Sequence, residues 1–340
     1  MSAISALPIH FREIFKVKPW GGRRLETLLR KSLPPGEPIG ESWEISDHPH
    51  GMSEVDGGEL AGRTLRELVE RDEVGLIGRR GALELGGRFP LLYKFIDAAD
   101  FLSVQVHPGD DYARKHEEGD PGKIEAWVVI HAEPGARIAH GLKGGATRRT
   151  LSRAIASGTV EEHLRFVEVK RGDVLVLPAG TVHAIGPGVV VAEIQENSDT
   201  TYRLYDWGRM GLDGKPRELH VGKALDVIDF AGSSEPLVRP QVLRDGDARH
   251  ERLAANEKFT FDRYSHDAPF EIRPAELESF VILSCTGGRA ELVYPQGTCT
   301  MTLGETLLVP ATLSTITVRP QGPVEILVMS LPMKQKTLRR

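Results

Sequence analysis

Cysteine is almost missing from this 340-residue chain, with Cys285 and Cys299 the only two. Two thiols cannot build a disulfide framework, so reduced side chains in a cytoplasmic protein are expected, both serving as small buried hydrophobes. No run approaches the ~20 consecutive apolar residues that span a bilayer. Residues 1–10 show no basic segment followed by a long apolar core, so neither a secretory signal nor a membrane partner is expected. A basic excess is lacking too: the net charge is −5, which argues against nucleic acid as a partner. The chain has no Gly-x-Gly-x-x-Gly after a strand and no Gly-x-x-x-x-Gly-Lys-Ser/Thr, which removes most support for dinucleotide redox chemistry and nucleotide hydrolysis. Cys-x-x-Cys and His-Glu-x-x-His are absent as well, so a metal would have to be held by residues assembled in space.

What is present favours many short elements. At about 150 residues per domain, the length suggests two domains. The 36 Gly and 22 Pro punctuate the chain too often for long bundles or coiled coils. Helical periodicity appears over residues 23–31, 64–72, 147–158 and 221–230, the third ending at Gly158 as a cap. Period-two patterning covers residues 101–107, 124–130, 174–177, 189–195, 280–283, 306–309 and 326–329. The expected fold is mainly β, a sandwich or barrel with a few flanking helices. Gly172-Asp-Val-Leu-Val-Leu-Pro-Ala179 can be laid on Gly304-Glu-Thr-Leu-Leu-Val-Pro-Ala311 at an offset of 132 residues. This predicts two tandem β-domains, residues 1–235 and 236–340, with a linker near 233–242. The copies part at one point, where the first runs on to His183 and the second has Thr315. The second domain is therefore expected to bind no metal and to serve packing or closure of the site.

Three β-segments carry donors. Phe101-Leu-Ser-Val-Gln-Val-His-Pro108 would send Ser103, Gln105 and His107 to one face and Leu102, Val104 and Val106 to the other. Gly122-Lys-Ile-Glu-Ala-Trp127 puts Lys123 and Glu125 on one face, and Pro178-Ala-Gly-Thr-Val-His183 places a histidine just past a strand and turn. Taken singly, each has an ordinary reading: a solvated strand face, a charge pair, a structural histidine. Together, Gln105, His107, Glu125 and His183 offer two imidazoles, a carboxylate and an amide oxygen. That set suits zinc or another divalent transition metal, with a position left for water or substrate. A fourth segment, residues 191–206, puts Glu193 and Gln195 on one face, with Glu193 a candidate general base. Arg203 follows, offering a fork of donors to a phosphate or a developing enolate; its plain alternative is a surface salt bridge with Asp199 or Asp206. With no phosphate loop, any phosphate would be held by separate cations such as Lys94, Lys123 and Arg203.

These residues resemble one family, the type I phosphomannose isomerases, zinc enzymes of the cupin superfamily. The resemblance runs through Trp20-Gly-Gly22, Ile39-Gly-Glu-Ser-Trp-Glu-Ile-Ser46, Pro90-Leu-Leu-Tyr-Lys-Phe-Ile-Asp97 and Leu102-Ser-Val-Gln-Val-His-Pro108. It continues through Gly122-Lys-Ile-Glu125, Pro178-Ala-Gly-Thr-Val-His-Ala184 and Glu193-Ile-Gln-Glu-Asn-Ser-Asp-Thr-Thr-Tyr-Arg203. Order and spacing are those of the short bacterial members; the match is strong over residues 12–230 and only a pattern beyond. It implies two tandem cupin-like jelly-roll domains, with His107, Glu125 and His183 as ligands of one Zn²⁺ per chain and Gln105 a fourth ligand in some members. Arg203 falls on the family's active-site arginine. Glu193 and Lys123 fall on proton-transfer or sugar-binding positions, and Trp20, Lys94 and Ser103 on the pocket that binds substrate. Ile124 stands where Thr is usual, Val128 where an aromatic is common and Gly109 where an acid or Asn often follows His-Pro; none of these removes a ligand.

The reaction implied is the interconversion of mannose 6-phosphate and fructose 6-phosphate through an enediol. It needs a base beside C1 and C2 and positive charge beside their oxygens. Glu193 would be the base, with a zinc-bound water the other candidate, and Zn²⁺ with Arg203 or Lys123 would stabilise the oxyanion. The expected partner is a small sugar phosphate, and the expected state a monomer or small homo-oligomer. An iron-dependent cupin dioxygenase and a non-catalytic sugar-binding cupin are the competing readings.

Overall fold

The computed structural model describes residues 7–79, 81–82, 87–231, 235–246 and 248–332. The described chain is mainly β and divides into two compact units. The site unit comprises Glu13–Gly51 and Leu91–Val238; the companion unit comprises the described parts of Met1–Arg12, Met52–Pro90 and Arg239–Arg340. This corrects the expected division into 1–235 and 236–340. The companion unit recruits N-terminal chain because its sheet edge pairs with Ile9–His10, in register Ile9↔Leu308 and His10↔Leu307. Its core likewise takes in Phe89, whose ring lies 4.4 Å from that of Phe280. Within the expected linker, Leu237–Val238 is a strand of the site unit paired with Val174 and Leu175, Gln241–Arg244 is a strand of the companion unit, and residues 233 and 234 lie outside the described residues, as do 1–6 at the N-terminus.

The site unit has a seven-stranded antiparallel sheet in the order Leu237–Val238, Val174–Leu177, Glu125–Ala132, Val189–Glu196, Leu91–Ala98, Ile39–Ile45, Ile14–Gly22. A five-stranded sheet runs Leu164–Glu168, Arg137–Leu142, His183–Ile185, Val104–Val106, Tyr202–Tyr205. Side chains alternate across a strand, so Val189, Val191 and Glu193 share a face, as do Glu125, Trp127 and Val129, and Lys94, Ile96 and Ala98. The apolar members of these sets pack with Ile138 and Ile185 of the second sheet in one core between the sheets. The inward face is thus apolar at one end of each central strand and charged at the other, and the charged ends gather in one place. The outer face of the five-stranded sheet buries Val104, Val106, Ala139 and Leu204 with Leu151, Ala224 and Leu225 from two helices, Arg148–Ser157 and Val221–Val227. The helix Arg148–Ser157 starts at a Thr147 capping box and stops at Gly158 with φ +74°, because a left-handed C-cap costs glycine no Cβ clash.

One strand differs from expectation. Only Val104–Val106 is strand, and Leu102, expected on the face of Val104 and Val106, turns into the core between the sheets. Residues 101–103 are not held in a ladder, so strict alternation does not reach them.

The companion unit repeats this plan. Its seven-stranded sheet runs Ile9–His10, Thr306–Val309, Val281–Gly287, Val324–Ser330, Thr260–His266, Ala248–Ala255, Gln241–Arg244, and its second sheet Phe270–Ile272, Ile316–Pro320, Arg289–Tyr294, Gly297–Thr302. The 132-residue offset lands on matching backbone. Gly172 (φ +89°) and Gly304 (φ +91°) each donate a 2.8 Å hydrogen bond to the neighbouring strand, at the carbonyls of Val129 and Cys285. Asp173 and Glu305 accept from the N–H groups of Lys170 and Thr302, closing the same turn. Of the two thiols, Cys285 is buried in the companion core. Cys299, on the edge strand Gly297–Thr302, is only half-buried, which corrects the expectation that both are core residues.

Candidate functional site

At the charged end of the inward face, His107, Glu125 and His183 converge, with one ligand atom from each lying within 4.8 Å of the others. All three are buried. Glu125 opens its strand opposite Leu177, His183 opens its own opposite Gln105, and His107 follows Val106 directly. Glu125 Oε1 lies 3.2 Å from His183 Nε2, and Oε2 lies 3.6 Å from His107 Nε2. The outer ring nitrogens are committed. His107 Nδ1 donates to the Thr200 carbonyl (2.9 Å) and His183 Nδ1 to the Thr181 carbonyl (2.9 Å). This fixes both tautomers with the Nε2 lone pairs directed at the carboxylate.

The electrostatics agree with a ligand set. Burial, aided by Lys123, lowers the His107 pKa; burial pushes His183 down to about 3. Both rings are therefore neutral near pH 7. Burial opposes ionisation of Glu125, but the Lys123 ammonium beside it outweighs burial and holds its carboxyl well below the usual carboxylate range. Yet His107 Nε2 and both Glu125 oxygens, all buried, have no hydrogen-bond partner. Lys123 Nζ sits 3.1 Å from Glu125 Oε2 without the alignment of a hydrogen bond. Buried acceptors left unpaired are costly, and a divalent cation between them satisfies all three; the residues fit zinc. Gln105 is adjacent, with its Nε2 3.1 Å from His183 Nε2 and its Oε1 accepting from the Ser103 hydroxyl. Ligation through Oε1 requires this amide to turn.

A cleft opens beside this centre, lined by Trp20, Lys94, Ser103, Gln105, Lys123, Glu193 and Arg203 among others. All the site residues expected from the sequence are thus brought to one place. Glu193 Oε2 accepts from the indole N–H of Trp127 (2.8 Å), while Oε1 faces Lys94 Nζ at 3.2 Å and Lys123 Nζ at 4.0 Å. Burial and the charge of Glu125 raise the Glu193 pKa. Lys94 also faces Glu41 Oε2 at 3.5 Å; burial works against its charge, but Glu193 and Glu41 outweigh that and raise its pKa. Arg203 makes no ion pair among the described residues, contrary to its plain surface reading: its Nη1 donates to the Glu218 carbonyl (2.8 Å) and its Nε is buried without a partner. Burial and the nearby Arg217 lower its pKa.

Several lining residues escaped the sequence reading, namely Lys18, Glu41, Asp199, Thr201 and Arg217. Glu41 had a signal, since it alternates with Ile39 and Trp43 on one strand. Its carboxylate accepts from the Trp43 indole N–H (2.7 Å) and pairs with Lys18 (3.1 Å), mirroring Glu193 and Trp127. Arg217 had none, because it lies in the irregular segment between Tyr202–Tyr205 and the helix Val221–Val227. A second cluster, His48, His50 and Asp199, also brings ligand atoms together, but its atoms are engaged. His48 Nε2 pairs with Asp120 (3.0 Å), His48 Nδ1 accepts from the His50 N–H, and His50 Nδ1 pairs with Asp199 (2.8 Å).

Residues 9–126 match the family model for phosphomannose isomerase type I, catalytic domain. The chain is 37% identical over 316 residues to the putative mannose-6-phosphate isomerase YvyI of Bacillus subtilis, covering 92% of this chain and 96% of that protein. A crystal structure of the mannose 6-phosphate isomerase from B. subtilis superposes with a TM-score of 0.86 at 34% identity, covering 95% of this chain and 99% of that one. A zinc-bound mannose 6-phosphate isomerase shares the fold at a TM-score of 0.75 and 18% identity, covering 96% and 99%.

Proposed function

The chain belongs to the type I phosphomannose isomerases, and from that premise we propose that it interconverts mannose 6-phosphate and fructose 6-phosphate in the cleft beside His107, Glu125 and His183. The observation that carries this reading is the convergence of His107, Glu125 and His183, with His107 Nε2 and both Glu125 oxygens buried without hydrogen-bond partners, set next to a carboxylate and a row of cations. His107, Glu125 and His183 would hold one Zn²⁺ per chain, with Gln105 a fourth ligand once its amide turns. Bound there, zinc supplies Lewis acidity to sugar oxygens and organises the pocket.

The chain's own groups account for the proton transfer. Glu193 Oε1, raised in pKa and aimed into the cleft, takes the proton from C2 of the aldose and returns it to C1. Lys123 and Arg203 hold positive charge where the enediolate oxygens develop, and no solvent reorganisation is required of them because both are already fixed. Lys94, held between Glu193 and Glu41, keeps the Glu193 carboxylate in register. Trp20 and Ser103 shape the sugar end of the pocket. Among the described residues no helix is long and apolar enough to cross a membrane; a cytoplasmic location belongs to the proposal.

The test is direct. Protein stripped with a chelator is expected to lose the conversion of mannose 6-phosphate to fructose 6-phosphate and to regain it on addition of Zn²⁺. Full activity in a metal-free sample overturns the zinc assignment, and absence of conversion with metal restored overturns the reaction.

A further inference from the structure

His107 takes its orientation from a carbonyl that lies in a loop, and loops do not hold position by themselves. Thr200, whose C=O accepts from His107 Nδ1, follows the end of the strand Val189–Glu196 by four residues. The fixing of that loop is traceable atom by atom. Asp120 Oδ2 accepts twice from it, from the Asp199 N–H and from the Thr200 hydroxyl, both at 3.1 Å. Asp120 Oδ1 is held in turn by His48 Nε2 at 3.0 Å, and His48 Nδ1 accepts from the backbone N–H of His50, which forces the proton onto Nε2. His48 thus donates to Asp120 in a single tautomer, and His48 is buried.

The segment carrying Asp120 is itself tied to two ligand-bearing stretches. Ser198 Oγ donates to the Pro121 carbonyl (3.0 Å), the Ile124 N–H to Glu196 Oε2 (3.0 Å) and the Lys123 N–H to the Pro108 carbonyl (2.9 Å). Asp120 therefore stands where the approach to Glu125, the residue after His107 and the Thr200 loop meet. Hydrogen bonding among His48, Asp120, His50 and Asp199 accounts for that cluster without a second metal.

We infer that Asp120, held by His48, is a positioning residue for the metal ligand His107, acting through the Thr200 carbonyl. It touches neither the cleft nor the ligand atoms; its effect passes through one hydrogen bond that sets the His107 tautomer and ring direction. Direct hydrogen-bond partners of a ligating histidine change metal affinity about 10–100-fold when removed, and loss of Asp120 frees the loop whose carbonyl is that partner. The inference rests on the zinc reading above.

The test is zinc affinity by competition with a chromophoric chelator, on the full chain, for the parent, Asp120→Ala and Thr200→Val. The parent is expected to bind zinc tightly. Asp120→Ala is expected to bind about 10–100-fold more weakly, and its isomerase activity to return as free zinc is raised. Thr200→Val keeps the carbonyl but loses one of the two bonds to Asp120, so a smaller fall, about 3–10-fold, is expected; it also serves where Asp120→Ala does not fold. Nitrogen-15 spectra of the metal-free protein give a second readout: His107 is expected to carry its proton on Nδ1 in the parent and to populate both tautomers in the variants. Zinc affinity within twofold of the parent in both variants, or an unchanged His107 tautomer, overturns the inference. A parent that binds no zinc overturns the zinc reading instead.

Discussion

The two units share a sheet plan and differ in what fills it. In the site unit Glu125 stands opposite Leu177, and in the companion unit Val281 stands opposite Val309, the residue 132 positions on. Moving along the ladders, Glu193 pairs with Trp127 and Lys94 where Val328 pairs with Leu283 and Asp262. The histidine at 183 becomes Thr315. Val281 and Val328 lie in a continuous apolar core with Leu283, Ile316 and Val318. Their counterparts Glu125 and Glu193 are also nearly inaccessible to solvent, at 1% and 2% exposure, but Glu193 lines a cleft rich in cations and Glu125 faces His107, His183 and Lys123. The comparison teaches that this sheet plan does not need carboxylates at the positions of Glu125 and Glu193. Valines complete those two positions without burying a charge, so the carboxylates of Glu125 and Glu193 carry a desolvation cost that a bound cation, as proposed above, would offset.

Turning the site unit into its companion is the largest change. Glu125→Val should abolish zinc binding and lower isomerase activity by about 10³-fold or more, read by metal content and turnover on the same sample; retained zinc would separate the carboxylate from the metal site. Glu193→Gln is expected to leave zinc content unchanged and to lower kcat by about 10²–10⁴-fold. A fall of less than about tenfold would assign the proton transfer to another group.

The converse exchange acts on stability. Val281→Glu puts a lone carboxylate into an apolar interior and should cost about 3–5 kcal/mol in chemical denaturation, without zinc uptake. A loss below about 1 kcal/mol would mean that the companion interior accepts charge as the site unit does. The smallest effect tests what the units have in common. Gly172→Ala and Gly304→Ala each force a Cβ into a left-handed turn and should each cost about 1–2 kcal/mol. Unequal costs would break the equivalence of the two turns.

Much of this was legible along the chain. Four helices, Arg24–Leu29, Leu65–Arg71, Arg148–Ser157 and Val221–Val227, were marked by their apolar spacing and the third also by its caps at Thr147 and Gly158, whereas the short helices Glu73–Ile77, Asp110–His116 and Pro274–Leu277 were not. The strands at 174–177 and 306–309 fall where period-two patterning puts them. Site residues were legible because a strand commits its side chains to faces: Glu125 with Trp127, Glu193 with Val191. The rest depended on partners far away in sequence. Ile9 and His10 carry no sign that they pair with residues near 308, so the interleaved division of the units was not readable. Leu102 broke the alternation expected of it because no ladder holds residues 101–103. Glu41 could be placed on a strand face but not beside Lys94, and Arg217 and Asp120 lie in segments without any period.

By itself the sequence determined the class of the fold and the repeat, which follow from local periodicity and turn chemistry, while its ordered motifs carried the resemblance that implies the family and the candidate ligands. Its shortage of cysteine excluded thiolate ligands, leaving imidazole, carboxylate and amide to do the binding. Only the tertiary structure decided that the three ligand residues face one another, that His107 Nε2 and the Glu125 oxygens are left unpaired, and that a loop carbonyl 93 residues from His107 sets its tautomer. Those outcomes hang on hydrogen bonds and burial between distant segments, and no spacing along a chain encodes a distance of that kind.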